Sequence, residues 1–431
     1  MARVAARAAR AHRGAGVSPT ASSARSLSGR VEELLERRTE ANERFFAAEA
    51  ERIARLCHRM AERFARGGRL VAFGRSPAAR SDVRHVAVEF VHPVIVGKRA
   101  LPAIGMAAEG GPLETQIALV AEPDDIAIAF GEEGDPETAA ALAAARRRGC
   151  LTIAFSAAGA EWEFDPLSVE DPFVRQELAE TLYHVLWELV HVFFEHRGLL
   201  EGRTSEPVYD TGASSFLYPF LGEQETDLEA VLADVRSSVL IKAADIGALR
   251  ARMLGESRDT LLTAADELRA AFESGGKLLA LGNGGSATDA MDAVADFRTP
   301  PPQWPARPAL DLTEDSSIIT AIANDIGTEA IFARQIIAYG RPGDVVLALS
   351  TSGGSANVIA ALAEARRRGL MTIAMVGYDG GRIADEQLAD HVLVTRSEHV
   401  PRIQEAQASA YHVLRELVEL VELARAARGD A

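Results

Sequence analysis

Cysteine is nearly absent from this chain. Cys57 and Cys150 are the only two in 431 residues, which excludes a disulfide framework and suits a reducing cytosol. Long apolar runs are also missing; none approaches the roughly 20 residues of a membrane helix, so no membrane partner is expected. Positive charge is in deficit: 46 Lys and Arg stand against 62 Asp and Glu, a net charge of -16. That balance argues against nucleic acid as a general partner. No Gly-Lys-Ser/Thr and no Gly-x-Gly-x-x-Gly follows either glycine-rich turn, so a nucleotide P-loop and a dinucleotide fingerprint are both excluded and no nucleotide cofactor is expected. What remains is ordinary globular composition, 48% hydrophobic and 25% charged, in a chain too long for one core. The first 30 residues differ, with six arginines and no acid. They read as a disordered basic tail, since no apolar helical face develops there.

Two loops carry the chemistry. Gly282-Asn283-Gly284-Gly285-Ser286 and Ser350-Thr351-Ser352-Gly353-Gly354-Ser355 each follow an apolar run and each open a helix-like stretch. A buried strand that turns through glycines and hydroxyls into a helix N-terminus offers unpaired N–H groups and partial positive charge to an anion. With no lysine in either loop, the pattern points to a phosphorylated sugar rather than a nucleotide.

The chain repeats itself. The run from Ala141 to Gly149 returns at Ala361 to Gly369, an offset of 220 residues. Gly67 to Leu70 returns at Gly275 to Leu278, an offset of 208, and Tyr183-His184 returns as Tyr411-His412, an offset of 228. Ordered matches with a slowly drifting offset indicate two like domains. In each half an amphipathic helical region (30–66; 228–272) precedes short apolar strands alternating with helices. The strands are 70–73, 126–130 and 151–155 in one half, and 278–281, 345–349 and 372–376 in the other. Long helices (172–196; 402–428) close the halves. This alternation predicts an α/β fold with parallel sheets covered on both faces. The division expected is a tail (1–30), a first domain (31–197), a linker (198–224) whose residues 216–221 dock on a domain surface, and a second domain (225–431).

These residues resemble the sugar isomerase (SIS) family, and within it the sedoheptulose 7-phosphate isomerases. The match spans most of 225–428 through the two loops, Asp289-Ala290-Met291, Asn324-Asp325, Asn357-Val358 and Arg402-Ile403-Gln404-Glu405. The resemblance implies two tandem SIS domains of three-layer α/β/α, flavodoxin-like form. It implies substrate contacts for Asn283, Gly284, Gly285, Ser286, Asn324, Asp325, Ser350, Thr351, Ser352, Ser355 and Gln404. The family also places a His and a Glu four apart on the helix after the first loop, and a Gln and a His eight apart on the last helix, around a metal. Spacings of four and eight return to one helix face.

The two halves depart from that pattern in opposite ways. The second half reads Asp292 and Asp296, with Gln404 and His412, and Pro401 stands where an acidic residue is usual nearby. The first half keeps His85 and Glu89, with Gln176 and His184, but its loops are Gly74-Arg75-Ser76-Pro77 and Gly131-Glu132-Glu133-Gly134-Asp135-Pro136. There a proline removes an N–H donor and three carboxylates repel phosphate. The implied metal set, for a divalent ion such as zinc, is His85, Glu89, Gln176 and His184, or else Asp292, Asp296, Gln404 and His412. The acid–base candidates are Glu89, His184, Asp296 and His412. The expected function is a cytoplasmic phosphosugar aldose–ketose isomerase, with a homodimer of tandem chains as its assembly. The alternative is a non-catalytic phosphosugar-binding regulator. Amide transfer from glutamine has no support, because no N-terminal nucleophilic cysteine is present.

Overall fold

The computed structural model describes residues 27–426 except 95–97, 108–109, 166–168, 197–198, 201–226 and 303. The basic segment up to residue 26, nearly all of the expected linker and the stretch 216–221 lie outside the described residues. The last four residues of the expected tail are helical, because α1 (Leu27–Ala65) starts there.

After α1 come β1 (Leu70–Phe73), α2 (Pro77–Val91), β2 (Ala103–Met106), α3 (Leu113–Val120), β3 (Ile126–Ala129), α4 (Pro136–Arg147), β4 (Leu151–Ala154), β5 (Trp162–Glu163) and α5 (Pro172–Glu195). The second half runs α6 (Leu228–Glu256), α7 (Arg258–Glu273), β6 (Leu278–Leu281), α8 (Gly285–Arg298), β7 (Ala309–Asp311), α9 (Ser316–Asp325), a 3₁₀ turn (Thr328–Ala330), α10 (Ile331–Tyr339), β8 (Val345–Ser350), α11 (Ala356–Arg367), β9 (Met371–Gly377), α12 (Gly381–Asp385), β10 (His391–Thr395) and α13 (Val400–Ala426).

Each half builds one sheet of five parallel strands, in the orders β2-β1-β3-β4-β5 and β10-β9-β8-β6-β7. Read from the same edge, the two orders are the same, as the internal repeat requires. Strands β1, β3, β4 and β6 are buried along their whole length. Their alternating side chains feed two cores: Leu70 and Ala72 face one layer of helices, Val71 and Phe73 the other. Burial of each large apolar side chain contributes about 1.5–3 kcal/mol.

The long helices cross between the halves. Val31 and Leu34 at the start of α1 pack in the second half's core, while Phe46, Ala50 and Ile53 pack in the first. α6 does the reverse: Val231, Leu232 and Val235 join the first core, and Ile246, Met253 and Leu254 join the second. Each half therefore lends the opening of its first helix to the other. Arg38, 1% exposed, sits at this crossing and donates to Glu177 Oε1 of α5 at 2.9 Å and to Glu416 Oε2 of α13 at 2.8 Å. α2 lies against α8, so the helices that follow the first strands of both sheets meet face to face.

Candidate functional site

At the helix starts the two halves differ most. In the first half both helices that open a phosphate-type loop are capped by their own chain. Ser76 accepts from Ala79 N–H at 3.2 Å above α2, and Asp135 accepts from Glu137 and Thr138 N–H at 3.1 and 3.2 Å above α4. Arg75 is held by Glu137 at 3.0 Å and donates to Gly111 O at 2.8 Å. In the second half neither α8, capped by Gly284 at φ 59°, nor α11, capped by Ser355, has a side-chain cap. Within these first turns Val358 N–H donates to Asn357 Oδ1 at 3.0 Å and Ala287 N–H to Gly284 O at 3.0 Å; the N–H groups ahead of them are the ones a helix start offers to an anion.

These two helix starts are joined through side chains. Asn283 and Asn357 exchange side-chain amide bonds, both 2.9 Å, and so tie the first loop to the start of α11. Ser350 Oγ accepts from Gly353 N–H at 3.2 Å, and Ser352 Oγ from Gly354 N–H at 3.2 Å. Ser355 Oγ lies 3.5 Å from Ser350 Oγ. Ser286 is buried in the first turn of α8, and Thr351 is half-buried. Asn324 and Asp325 stand at the exposed end of α9, where the amide donates to the carboxylate at 2.7 Å.

The first turn of α8 abuts His85 and Gln404. A Cβ placed on Gly285 would stand 1.9 Å from Gln404 Nε2 and 3.1 Å from His85 Nε2. Around that point four side chains converge. His85 Nε2 is 3.3 Å from His184 Nε2, 3.2 Å from Gln404 Nε2 and 3.9 Å from Glu89 Oε1. The first loop of the second half thus abuts His85 of the first, and with it Glu89 and His184.

The glutamines trade places relative to the expected sets. Gln404, not Gln176, joins His85, Glu89 and His184; Gln176 instead donates to Asp292 Oδ1 at 2.6 Å. The physical reason is the pseudo-twofold contact of α2 with α8, which brings the start of each closing helix against the other half's first helix. Helix spacing fixes which face a residue occupies, not which partner that face meets. Asp292, Asp296 and His412 do gather: His412 Nε2 is 3.4 Å from Asp292 Oδ2 and 3.3 Å from Asp296 Oδ2. This second group meets α2 through Ser81, whose hydroxyl donates to Asp292 Oδ1 at 3.2 Å.

Three carboxylates beside the histidines were given no role from the sequence, although Asp289 and Glu405 stand in the matched motifs. Glu405 Oε1 is 2.9 Å from His184 Nδ1, Glu177 Oε1 is 2.9 Å from His412 Nδ1, and Asp289 Oδ1 is 3.5 Å from His85 Nδ1. A signal existed: a glutamate follows the glutamine in both repeats. Glu180 was also missed; it is buried, its Oε1 lacks a hydrogen-bond partner, and it lies in reach of both His85 and His184. A small cavity of about 10 Å³ lined by Asp82, Glu180, Asp289 and Asp292 separates the two groups.

The electrostatics follow from burial. Desolvation pushes the Glu89 carboxyl up to about 7 and lowers His85 well below the ordinary imidazole value, with His184 adding to the latter. Burial also opposes charge on Glu177, yet Arg38, His412 and Arg250 outweigh it and hold that carboxyl far below its usual range. At His412 burial again opposes charge, and Asp296, Asp292 and Glu177 override it, raising its pKa.

The first group suits a divalent cation. With His184 donating Nδ1–H to Glu405 at 2.9 Å and Asp289 Oδ1 3.5 Å from His85 Nδ1, the tautomers that these contacts favour leave a lone pair on each Nε2, 3.3 Å apart, an arrangement that a shared cation would relieve. Glu89 Oε2 and Gln404 Oε1 are buried with no hydrogen-bond partner. A half-turn of the Gln404 amide, whose O and N are assigned rather than observed, brings its oxygen inward.

Two parallel five-stranded sheets in tandem, with uncapped loop–helix junctions, define an SIS-type α/β protein. The SIS domain model matches residues 243–377. Phosphoheptose isomerase from Roseiflexus sp. (strain RS-1) is 42% identical over 190 residues, covering 44% of this chain and 91% of that protein. Phosphoheptose isomerase from Trichlorobacter lovleyi is 43% identical over 176 residues, covering 40% of this chain and 87% of that protein. The chain therefore belongs to the sugar isomerase (SIS) family. The C-terminal domain of glucosamine-fructose-6-phosphate aminotransferase from Francisella tularensis covers 90% of this chain and 95% of that one, with TM-score 0.55 and 11% identity. That likeness extends the SIS fold across both halves. Among the described residues no helix is long and apolar enough to cross a membrane.

Proposed function

We propose that the chain is a phosphosugar aldose–ketose isomerase with one composite site, in which the second half holds the phosphate and the first half supplies most of the reacting groups. The relatives named phosphoheptose isomerase support a phosphorylated heptose as substrate, and the resemblance to the sedoheptulose 7-phosphate isomerases makes sedoheptulose 7-phosphate the one to test. The observation that carries the reading is the pair of uncapped helix starts, α8 and α11, set against His85 and Gln404. The dianion would lie on the leading N–H groups there, with Ser286, Ser350, Thr351, Ser352 and Ser355 as further donors and Asn283 holding the two loops together.

That placement directs the sugar's carbonyl end toward Glu89. A carboxyl poised at about 7 is matched to taking a proton from C1 and returning it to C2 near neutral pH, through an enediol, while the O1 hydroxyl proton passes to O2. His85, His184 and Gln404 would hold a divalent cation such as zinc, which when bound polarises the carbonyl. His184 then serves as a ligand rather than as the proton carrier, with Glu405 fixing its tautomer. Two tandem chains would give a four-domain assembly, and a light-scattering mass of one chain would refute that pairing.

The test is incubation with sedoheptulose 7-phosphate and detection of aldose product. Glu89→Gln should lower turnover at least 100-fold while ligand-induced thermal stabilisation persists; Ser352→Ala with Ser355→Ala should lose that stabilisation. Stabilisation of the parent without turnover would replace this reading with a phosphosugar-binding regulator. Undiminished turnover in Glu89→Gln would remove Glu89 from the mechanism.

A further inference from the structure

We propose that Glu180 is the carboxylate ligand of the cation at the composite site, and that it thereby leaves Glu89 free to carry the substrate's proton. The inference rests on the isomerase reading of that site and supplies a ligand that stands in neither of the two sets expected from the helix spacings.

The need is electrostatic. His85, His184 and Gln404 are neutral ligands, and a divalent cation buried among them alone has no opposite charge to offset its desolvation. Glu89 is one carboxylate at hand, with Oε1 3.9 Å from His85 Nε2. An oxygen bound to a cation is a poorer base, so Glu89 as a ligand would serve badly as the proton carrier. A second carboxylate removes the conflict.

Glu180 is placed to be that carboxylate. One of its oxygens and one ring nitrogen from each of His85 and His184 lie within 4.8 Å of one another, a group that Glu89 stands outside. Bond lengths of about 2.0–2.2 Å put neighbouring ligand atoms about 3.4 Å apart around a tetrahedral ion, so the remaining closure is about 1.4 Å at most, within the swing of a glutamate side chain. Glu180 is 3% exposed, and its Oε1 has no hydrogen-bond partner. It lines the cavity of about 10 Å³ already described, room for one water or one ion. The wall of that cavity carries His85, Asp82, Asp289 and Asp292 and no lysine or arginine. A buried, unpartnered carboxylate oxygen beside two imidazoles has the chemistry of a ligand for a first-row divalent cation.

The other half shows that the fold does not demand an acid there. Gln176, Glu180 and His184 of α5 correspond to Gln404, Ala408 and His412 of α13, and Ala408 is buried. Nε2 of His412 already has Asp292 and Asp296 within 3.4 Å, whereas Nε2 of His184 faces His85 Nε2 at 3.3 Å. The extra acid falls on the side where a carboxylate is short.

The full chain, stripped with a chelator and titrated with cobalt(II), provides the measurement through ion stoichiometry and visible absorption. Glu180→Ala should weaken cobalt binding at least about 100-fold and shift the absorption bands, because even an outer partner of a ligand is worth about 10–100-fold. Glu89→Gln should stay within about tenfold of the parent affinity, the small end of that range, while turnover is lost. Circular dichroism establishes folding, and Glu180→Gln, which keeps the length and removes the charge, stands in if Glu180→Ala does not fold. Parent-like cobalt affinity and spectrum in the Glu180 variants would overturn the proposal, as would a parent that takes up no cobalt. Loss of the ion in Glu89→Gln but not in Glu180→Ala would overturn it in favour of Glu89 as the ligand. Failure of the isomerase reading shows separately: a parent that holds cobalt through Glu180 yet leaves sedoheptulose 7-phosphate unconverted would support the ligand and refute the isomerase.

Discussion

Replacing Gly285 by alanine separates folding from function. The residue is the first of α8 and has no left-handed φ, so alanine costs no backbone strain and gains helix propensity of up to about 1 kcal/mol. The new methyl would stand 1.9 Å from Gln404 Nε2, 3.0 Å from its Cδ and 3.1 Å from His85 Nε2. Ordinary contact is about 3.4 Å or more, so the amide must retreat by about 1.5 Å. Gln404 is a flexible side chain on a buried helix face, and its end can rotate away without moving the backbone. The fold should therefore survive while the site loses a ligand. A misplacement of about 1 Å can lower rate about 100-fold, and a drop of that order in turnover of sedoheptulose 7-phosphate is expected, together with weaker metal retention and an unchanged melting temperature. Gly255→Ala, in α6 with nothing near its Cβ position, controls for the generic effect of a helical glycine substitution. Turnover within threefold of the parent in Gly285→Ala would refute the composite site.

Other expectations concern the buried charges. Arg38→Met removes the cation that Glu177 and Glu416 share and leaves Glu177 to His412 and Arg250 and Glu416 to Arg37 at 3.8 Å; it should cost about 3–5 kcal/mol in denaturant unfolding, and a loss below about 1 kcal/mol would show that the crossing is not held electrostatically. Glu188, buried like Glu405, stays ionised down to about 2 because Arg402 and Lys242 outweigh desolvation. A depressed folded pKa adds stability that is complete above the unfolded value of about 4.5 and is lost as pH falls toward about 2; the shift corresponds to about 3 kcal/mol. Glu188→Gln should therefore melt lower than the parent at pH 7, and the gap should narrow in melts taken at successively lower pH. A gap independent of pH would sink the assignment.

The strands at 70–73 and 278–281 were legible because four consecutive buried apolar residues leave little choice in a parallel sheet. The edges β2, β5, β7 and β10 were not, since edge residues are partly exposed and carry no clear period. The helical region expected over 228–272 breaks at Ser257, with no proline to announce it. The two loops that open α8 and α11 were legible as glycine and serine clusters. Their partnership with His85 was open in sequence, and the exchange of Gln176 and Gln404 was invisible, because it depends on how α2 meets α8. Asp135 was read as repulsive to phosphate; it also occupies the place of an anion, by capping α4.

The crossing of α1 and α6 has a consequence for how this molecule can be taken apart. Cutting between residues 200 and 228 would yield fragments that each carry a helix opening shaped for the other. Neither piece would be self-sufficient: the first would bare the grip that Val31 and Leu34 have elsewhere, and the second would strand Val231, Leu232 and Val235 in water. The fused chain thereby guarantees that each half, altered in its own way, always travels with the other. Selection can then act on the pair as a unit and let one copy drift.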